Sequence, residues 1–235
     1  MIKLETPFYI VYEDKLRRNL ELITSVAKSA DVEIIMAFKA NALWKTFSIF
    51  REYGVKSTAS SLNEMQLGVE KLGSRTHTYC PAYTDVTIDK YIAGSSHITF
   101  NSIQQFERFK SKIDAHNLAN PTRMVSCGLR INPEYSVIDT DIYNPCAAGS
   151  RFGVIADNID MLPNGIDGFH FHALCESNSY DLEQVLTAVE SKFGKFLPQL
   201  KWINMGGGHL MTKAGYDTAH LIKLLKAFKA KYPNL

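Results

Sequence analysis

Cysteine is scarce and scattered in this sequence. Cys80, Cys127, Cys146 and Cys175 are four in 235 residues, with no C-x-x-C pair among them. A disulfide scaffold is denser in a shorter chain, and a structural zinc site needs clustered ligands, so neither fits. Three of the four lie in or beside expected strands, where a free thiol packs as a small apolar side chain. Thiols kept reduced in this way point to a cytoplasmic location. An excess of one charge is also missing. Lys+Arg 26 against Asp+Glu 24 gives +2, which offers no global field for nucleic acid or an anionic membrane. No apolar run reaches the roughly 20 residues of a membrane-spanning helix. The opening Met1-Ile2-Lys3-Leu4-Glu5-Thr6-Pro7 lacks the apolar core of a secretory leader. Internal repeats, the dinucleotide-binding G-x-G-x-x-G and the Gly-Lys-Ser/Thr of a Walker A loop are absent too. What remains, 46% hydrophobic and 21% charged, is ordinary globular composition with enough chain to bury a substantial core.

The hydrophobic pattern alternates short apolar runs with helical periodicity. Leu16, Leu20, Ile23 and Ala27 predict an amphipathic helix over 14–29. Strands are expected at Ile34–Asn41, Val55–Ser60, Thr76–Cys80, His97–Phe100, Met124–Ile131, Ile166–Leu174 and Trp202–Met205, with helices between most of them. Ser61-Leu62-Asn63-Glu64 and Ser102-Ile103-Gln104-Gln105 match capping boxes, and Gly54 and Gly73 read as helix stops. Such alternation means a parallel sheet with crossover helices, and its strand count favours a (β/α)8 barrel over an open sheet. A closed barrel has eight strands, and seven are found. Either the sequence stops short of a longer protein, or the extended Thr6–Val11 segment takes the missing place. The connection from 132 to 165 shows no clear periodicity, and a long ordered loop of this kind is usually functional.

Three stretches carry chemistry. Lys39 ends the first apolar run, where α/β barrels place their reactive groups; an amine desolvated there becomes the neutral nucleophile of a Schiff base. Asn204-Met205-Gly206-Gly207-Gly208-His209 follows a strand, and its glycines let backbone amides approach a single phosphate. His170 and His172 stand at i and i+2, on one face of a strand, as a metal pair or as a ring-stacking surface. Arg130 ends a run that otherwise reads as buried strand, and a buried guanidinium needs an anionic or polar partner. A nucleophilic lysine, a stacking imidazole, an arginine and a phosphate cradle at one barrel mouth are the parts that pyridoxal phosphate uses.

Ala37-Phe38-Lys39-Ala40-Asn41, the His172 strand and Gly206-Gly207-Gly208 resemble the alanine-racemase-fold (fold-type III) pyridoxal-phosphate enzymes, which include ornithine and diaminopimelate decarboxylases. The likeness is greatest to the carboxynorspermidine (carboxyspermidine) decarboxylases. It rests on Arg130–Tyr135, Tyr143–Cys146, Gly149–Gly153, Ser60–Glu64 and His170–Glu176, and runs through essentially the whole chain. His172-Ala173-Leu174-Cys175 discriminates best, because sister decarboxylases tend to carry His-x-Gly-Ser there.

The resemblance implies that Lys39 holds pyridoxal 5'-phosphate as a Schiff base and that His172 stacks on its ring. Arg130, Cys175, Gly206, Gly207 and Gly208 would complete the cofactor set, and Glu64, Asn144, Arg151 and Glu176 would meet a small polyamine-acid substrate. It implies no metal, no nucleic-acid or membrane partner, and a full-length homodimer. It also places residues 1–235 as one pyridoxal-phosphate-binding barrel domain. The family's Glu-Pro-Gly motif on the eighth strand and its C-terminal β-domain are not found in these residues, so a truncated barrel, inactive alone, is expected. The rivals are a diaminopimelate-type decarboxylase, a non-catalytic pyridoxal-phosphate carrier barrel, and a catalytically dead homologue acting by binding. A carrier would close its barrel within this length.

Overall fold

In the computed structural model, residues 6–138 and 140–235 are described; the opening Met1 to Glu5, read above for a leader, lies outside them. The chain begins with α1 (Glu13–Ala30) and then alternates strands and helices. These are β1 (Met36–Ala37), α2 (Phe47–Glu52), β2 (Ser57–Ala59), α3 (Leu62–Leu67), β3 (Thr76–Tyr79), α4 (Ile88–Gly94), β4 (Ser95–Phe100) and α5 (Ile103–Ala119). Next come β5 (Ser126–Arg130), β6 (Ile166–His170), α6 (Ser179–Phe193), β7 (Trp202–Asn204) and α7 (Thr218–Lys231). All seven strands pair in parallel and in chain order, from β1 at one edge to β7 at the other.

The helix layer curls further than the strands do. α1 packs on α7, and Lys229 of α7 donates to the carboxylate and, at 2.6 Å, to the carbonyl of Asp31 just past α1. On its other flank α1 meets α2 through Arg17 and Glu52 at 2.6 Å. α1 thus closes the outer ring, while β1 and β7 remain unpaired edges among the described residues. Their residues are half-buried, whereas four of the five in β5 are buried. The Thr6–Val11 segment makes no sheet pairing and exposes Phe8, Tyr9, Ile10 and Val11, so it does not stand in for an eighth strand.

Strand alternation sorts the side chains. Cys127, Leu129 and Phe169 face the helices and join a core with Phe106, Phe193 and Phe196. Ser126, Gly128 and Arg130 face the inside. There Trp202 reaches from β7 across β6 and β5, and its indole donates to Ser126 at 2.8 Å. Its ring meets His97 edge-on at 5.2 Å, and His97 stacks on His77 at 3.8 Å. This aromatic floor sits below the site.

Several expected boundaries move. β1 is two residues long, and β6 stops at His170 rather than Leu174. α6 starts at Ser179, where Asn178 and Asp181 form a reciprocal capping box. α5 runs on to Ala119, and before α4 the Thr84 and Thr87 hydroxyls bond each other at 2.8 Å. The long connection holds short 3-10 turns at Asp141–Tyr143 and Ala156–Asn158, and Val154 adds a single parallel bridge beside Ile131.

Candidate active site

The carboxyl ends of the strands gather the residues singled out in the sequence. Phe38, buried and stacked on Phe47 at 5.3 Å, anchors the turn after β1. Ala40 and Asn41 both donate to the Ala37 carbonyl, which tightens that turn. Lys39 sits in it, past the strand and exposed, so the expectation of a strand-end lysine desolvated by the protein is not met.

β5 and β3 supply the buried cation. Arg130 is 5% exposed and its guanidinium carbon lies 4.8 Å from the Tyr79 ring centroid and 4.7 Å from that of Phe152. It donates to the Tyr79 hydroxyl at 2.8 Å and, longer at 3.5 Å, to the His172 carbonyl. Among the described residues no carboxylate pairs with it. Its partners are therefore polar and aromatic, and its charge is uncompensated. Burial pushes the Tyr79 phenol up, against the pull of Arg130.

β6 ends between the two histidines. His170 is buried, stacks obliquely on Tyr79 at 5.4 Å, and shares a hydrogen bond with the Asn204 carbonyl at 3.2 Å. Burial, then the charges of Arg130 and His172, push it down to about 3. His172 lies two residues beyond the strand, and its Nδ1 accepts the Gly207 N–H at 3.2 Å. Burial, then the charges of Lys39 and Arg130, lower it to about 4. Both rings are thus neutral at pH 7, and His172 is an uncharged face near two cations. Among the described residues no three His, Cys, Asp or Glu side chains converge as metal ligands, and His170 is engaged by backbone.

The three glycines do different things. Gly206 has φ +72, and a Cβ there would meet the Phe171 carbonyl oxygen at 2.5 Å; at Gly208, φ +104, one would meet the Leu174 carbonyl oxygen at 2.4 Å. The fold itself requires both. Gly207 has an ordinary φ, and no atom of the protein lies within 4 Å of where its Cβ would stand. No contact in the fold requires glycine there, and the space beside it is open. The amides are also divided: Gly206 N–H donates to Asn204 Oδ1 at 2.9 Å and Gly207 N–H to His172. Among the described residues the Gly208 and His209 amides have no acceptor, so the donors offered to an anion sit one place later than the glycine triplet suggests.

The remaining candidates separate. Glu64 accepts from the Ser60 amide at 2.6 Å and hydroxyl at 2.9 Å, so it closes the start of α3. Asn144 Oδ1 accepts from Cys146 N–H at 2.8 Å within its own turn. Both are occupied locally. Arg151, Cys175 and Glu176 are exposed, Glu176 at φ 49. Tyr79, Asn101 and Phe152 were not singled out from the sequence. They stand around Arg130, and the signal that finds Tyr79 and Asn101 is their position at the carboxyl ends of β3 and β4.

No family model matches the chain. It is 42% identical over 233 residues, 99% of its length, to a carboxyaminopropylagmatine decarboxylase of Synechocystis sp.. It is likewise 42% identical, over 98% of its length, to a carboxynorspermidine/carboxyspermidine decarboxylase of Campylobacter jejuni. The chain spans 58% of the length of each of these curated relatives. The crystal structure of a Campylobacter jejuni carboxynorspermidine decarboxylase complexed with norspermidine is similar with a TM-score of 0.86 and 40% identity, over 98% of this chain and 58% of that one. A Helicobacter pylori diaminopimelate decarboxylase, 14% identical with a TM-score of 0.71 over 95% of this chain and 61% of that one, shares the fold. The seven parallel strands therefore have the arrangement of the barrel in these decarboxylase structures, over the part that the chain spans.

Proposed function

We propose that this chain, a homologue of the carboxynorspermidine/carboxyspermidine decarboxylases, is the pyridoxal-phosphate-holding part of a polyamine-forming carboxy-lyase. The observation that carries this is Gly207. Its missing side chain has no reason in the fold, and it stands beside the unused Gly208 and His209 amides. That is a cradle for a phosphate ester. The rest of the mouth fits pyridoxal phosphate: an exposed amine on Lys39, the neutral ring of His172 and the unpaired cation of Arg130.

Lys39 would hold the cofactor covalently through its amine. His172 would lie against the ring; neutrality matters, because a charged imidazole would repel a pyridinium. Arg130 would face the cofactor's anionic oxygens, and the walls made by Tyr79 and Phe152 would keep water from that cation. When bound, pyridoxal phosphate supplies the sink for the electron pair left on Cα as CO2 departs. The carboxylated polyamines named in the two 42% relatives are the substrate class, with carboxynorspermidine and carboxyspermidine first and carboxyaminopropylagmatine second, because identity does not separate them. A diaminopimelate substrate is not favoured, since those enzymes match at the level of fold. A homodimer belongs to the same reading: exposed Trp44, Tyr143 and Tyr180 on the segments after β1, β5 and β6 offer it apolar surface.

The test is borohydride reduction of the chain with pyridoxal phosphate, then peptide mapping. Attachment at Lys39, lost in Lys39→Ala, is expected. Label spread over surface lysines would sink the assignment. Turnover comes second, because the chain spans 58% of its relatives' length.

A further inference from the structure

Asn101, the residue after β4, makes three side-chain hydrogen bonds. Its Oδ1 accepts from the Tyr79 hydroxyl at 2.8 Å and from Gly153 N–H at 2.9 Å, and its Nδ2 donates to the Arg151 carbonyl at 2.8 Å. It therefore grips both ends of Arg151-Phe152-Gly153. Gly153 adopts φ +85, and a Cβ there would meet the Ile131 carbonyl carbon at 2.9 Å. Val154 bonds back to Arg130 and Asn132 at 2.9 and 2.8 Å. The segment is pressed against the end of β5, which puts Phe152 over the Arg130 guanidinium at 4.7 Å. On the other side runs a relay from Arg130 to the Tyr79 hydroxyl to Asn101 Oδ1. Asn101 thus fixes both aromatic walls of the buried cation.

Why an amide stands here is the informative point. Aspartate would keep the Tyr79 and Gly153 bonds but could not donate to the Arg151 carbonyl, so the amide has one local reason in the fold. A carboxylate, however, would sit one hydroxyl away from Arg130 and satisfy a cation that has no other carboxylate. We infer that Asn101 is a positioning residue: it holds the 151–153 segment over Arg130 while leaving that charge free for an anionic ligand. The inference rests on the reading of the mouth as a cofactor site, but its two halves can be read without the cofactor.

The experiment compares wild type, Asn101→Ala and Asn101→Asp in three measurements. The first is trypsin cleavage after Arg151, mapped by mass spectrometry on the free chain. Asn101→Ala should cut there about tenfold faster, the effect of losing about 1.4 kcal/mol of tethering, with other sites unchanged. The second is the thermal shift produced by inorganic phosphate, and the third is borohydride-trapped pyridoxal phosphate at Lys39. In both, Asn101→Asp should be the worse variant while its Arg151 cleavage is no faster than that of Asn101→Ala, because it keeps two of the three bonds but offers Arg130 a carboxylate. A purely structural asparagine predicts phosphate shifts and cofactor trapping that follow the Arg151 cleavage rate across the three proteins, and that correlation overturns the inference. Equal cleavage at Arg151 in wild type and Asn101→Ala overturns it too, as does a wild type that phosphate does not shift. If phosphate shifts and tethering behave as expected but no pyridoxal phosphate is trapped, the inference stands and the cofactor reading fails.

Discussion

The indole of Trp202 lies where the side chain of residue 168 would be. A Cβ built on Gly168 would come within 2.1 Å of the Trp202 ring, and one on Gly128 within 2.3 Å. Two glycines on β5 and β6 thus make room for one tryptophan from β7, and the floor of the mouth depends on that trade.

Gly168→Ala should therefore destabilise the chain by about 3 kcal/mol, since an over-packed interior has no flexible neighbour to give way. Urea denaturation measures it. A change below about 0.5 kcal/mol would mean that the indole is free to move and the floor is not packed as described.

Among the three glycines of the loop, substitution should split stability from binding. Gly206→Ala meets a carbonyl and a positive φ, so the melting temperature falls. Gly207→Ala meets nothing in the protein and should leave the melting temperature unchanged while weakening phosphate and pyridoxal-phosphate binding by about tenfold or more. Undiminished binding by Gly207→Ala would remove the observation on which the proposed function rests.

Arg130→Met removes a buried charge that has no carboxylate partner. Replacing an uncompensated ion by an apolar chain of similar length is neutral or stabilising, here by about 1 kcal/mol. Phosphate-induced stabilisation should vanish in the same variant. Calorimetry with and without phosphate reads both, and a large loss of stability without phosphate would show that the charge serves the fold instead.

Stability should decline as the pH falls below about 6.5. His170 is held down to about 3 and His172 to about 4, chiefly by burial. A histidine free in the unfolded chain takes up its proton near pH 6.5. Between that value and the folded one, the unfolded state binds more protons, so stability rises with pH and is lost on acidification. For His170 the slope approaches about 1.4 kcal/mol per pH unit, or about 3 kcal/mol lost by pH 4.5. His170→Gln should flatten that slope; an unchanged curve in denaturation at pH 7.5, 6.0 and 5.0 would contradict the burial argument.

Of the four thiols only Cys175 is exposed, and burial pushes Cys127 up to about 12 and Cys146 up to about 11. A disulfide reagent should titrate one fast thiol in the native chain. If Cys175 belongs to the cofactor set, pyridoxal phosphate should slow that reaction, and an unaltered rate would place Cys175 outside it.

Much of this architecture is legible in the sequence because it depends on short-range patterning. Apolar runs separated by helical periodicity locate all seven strands, and their alternation with helices dictates parallel pairing. The ends of elements are less legible. β6 stops at His170 rather than Leu174, and the Asn178–Asp181 box sets the start of α6. His172 lies past the end of β6, yet both histidines stand within reach of the Arg130 charge. Ser61 caps α3 as its pattern said, accepting from the Glu64 amide, but the Glu64 carboxylate closes on Ser60 rather than on Ser61.

By itself the sequence determined the kind of fold and the chemical vocabulary of its mouth: Lys39, His172, Arg130 and a glycine turn after β7. Only the tertiary structure decided their states. Tyr79, Asn101 and Arg130 come from three strands, and parallel register, not local pattern, brings their side chains together. Which glycine the backbone needs and which faces open space follows from neighbours on other segments. The neutrality of both histidines follows from burial beside Arg130 and Lys39, a field summed over residues far apart in the chain.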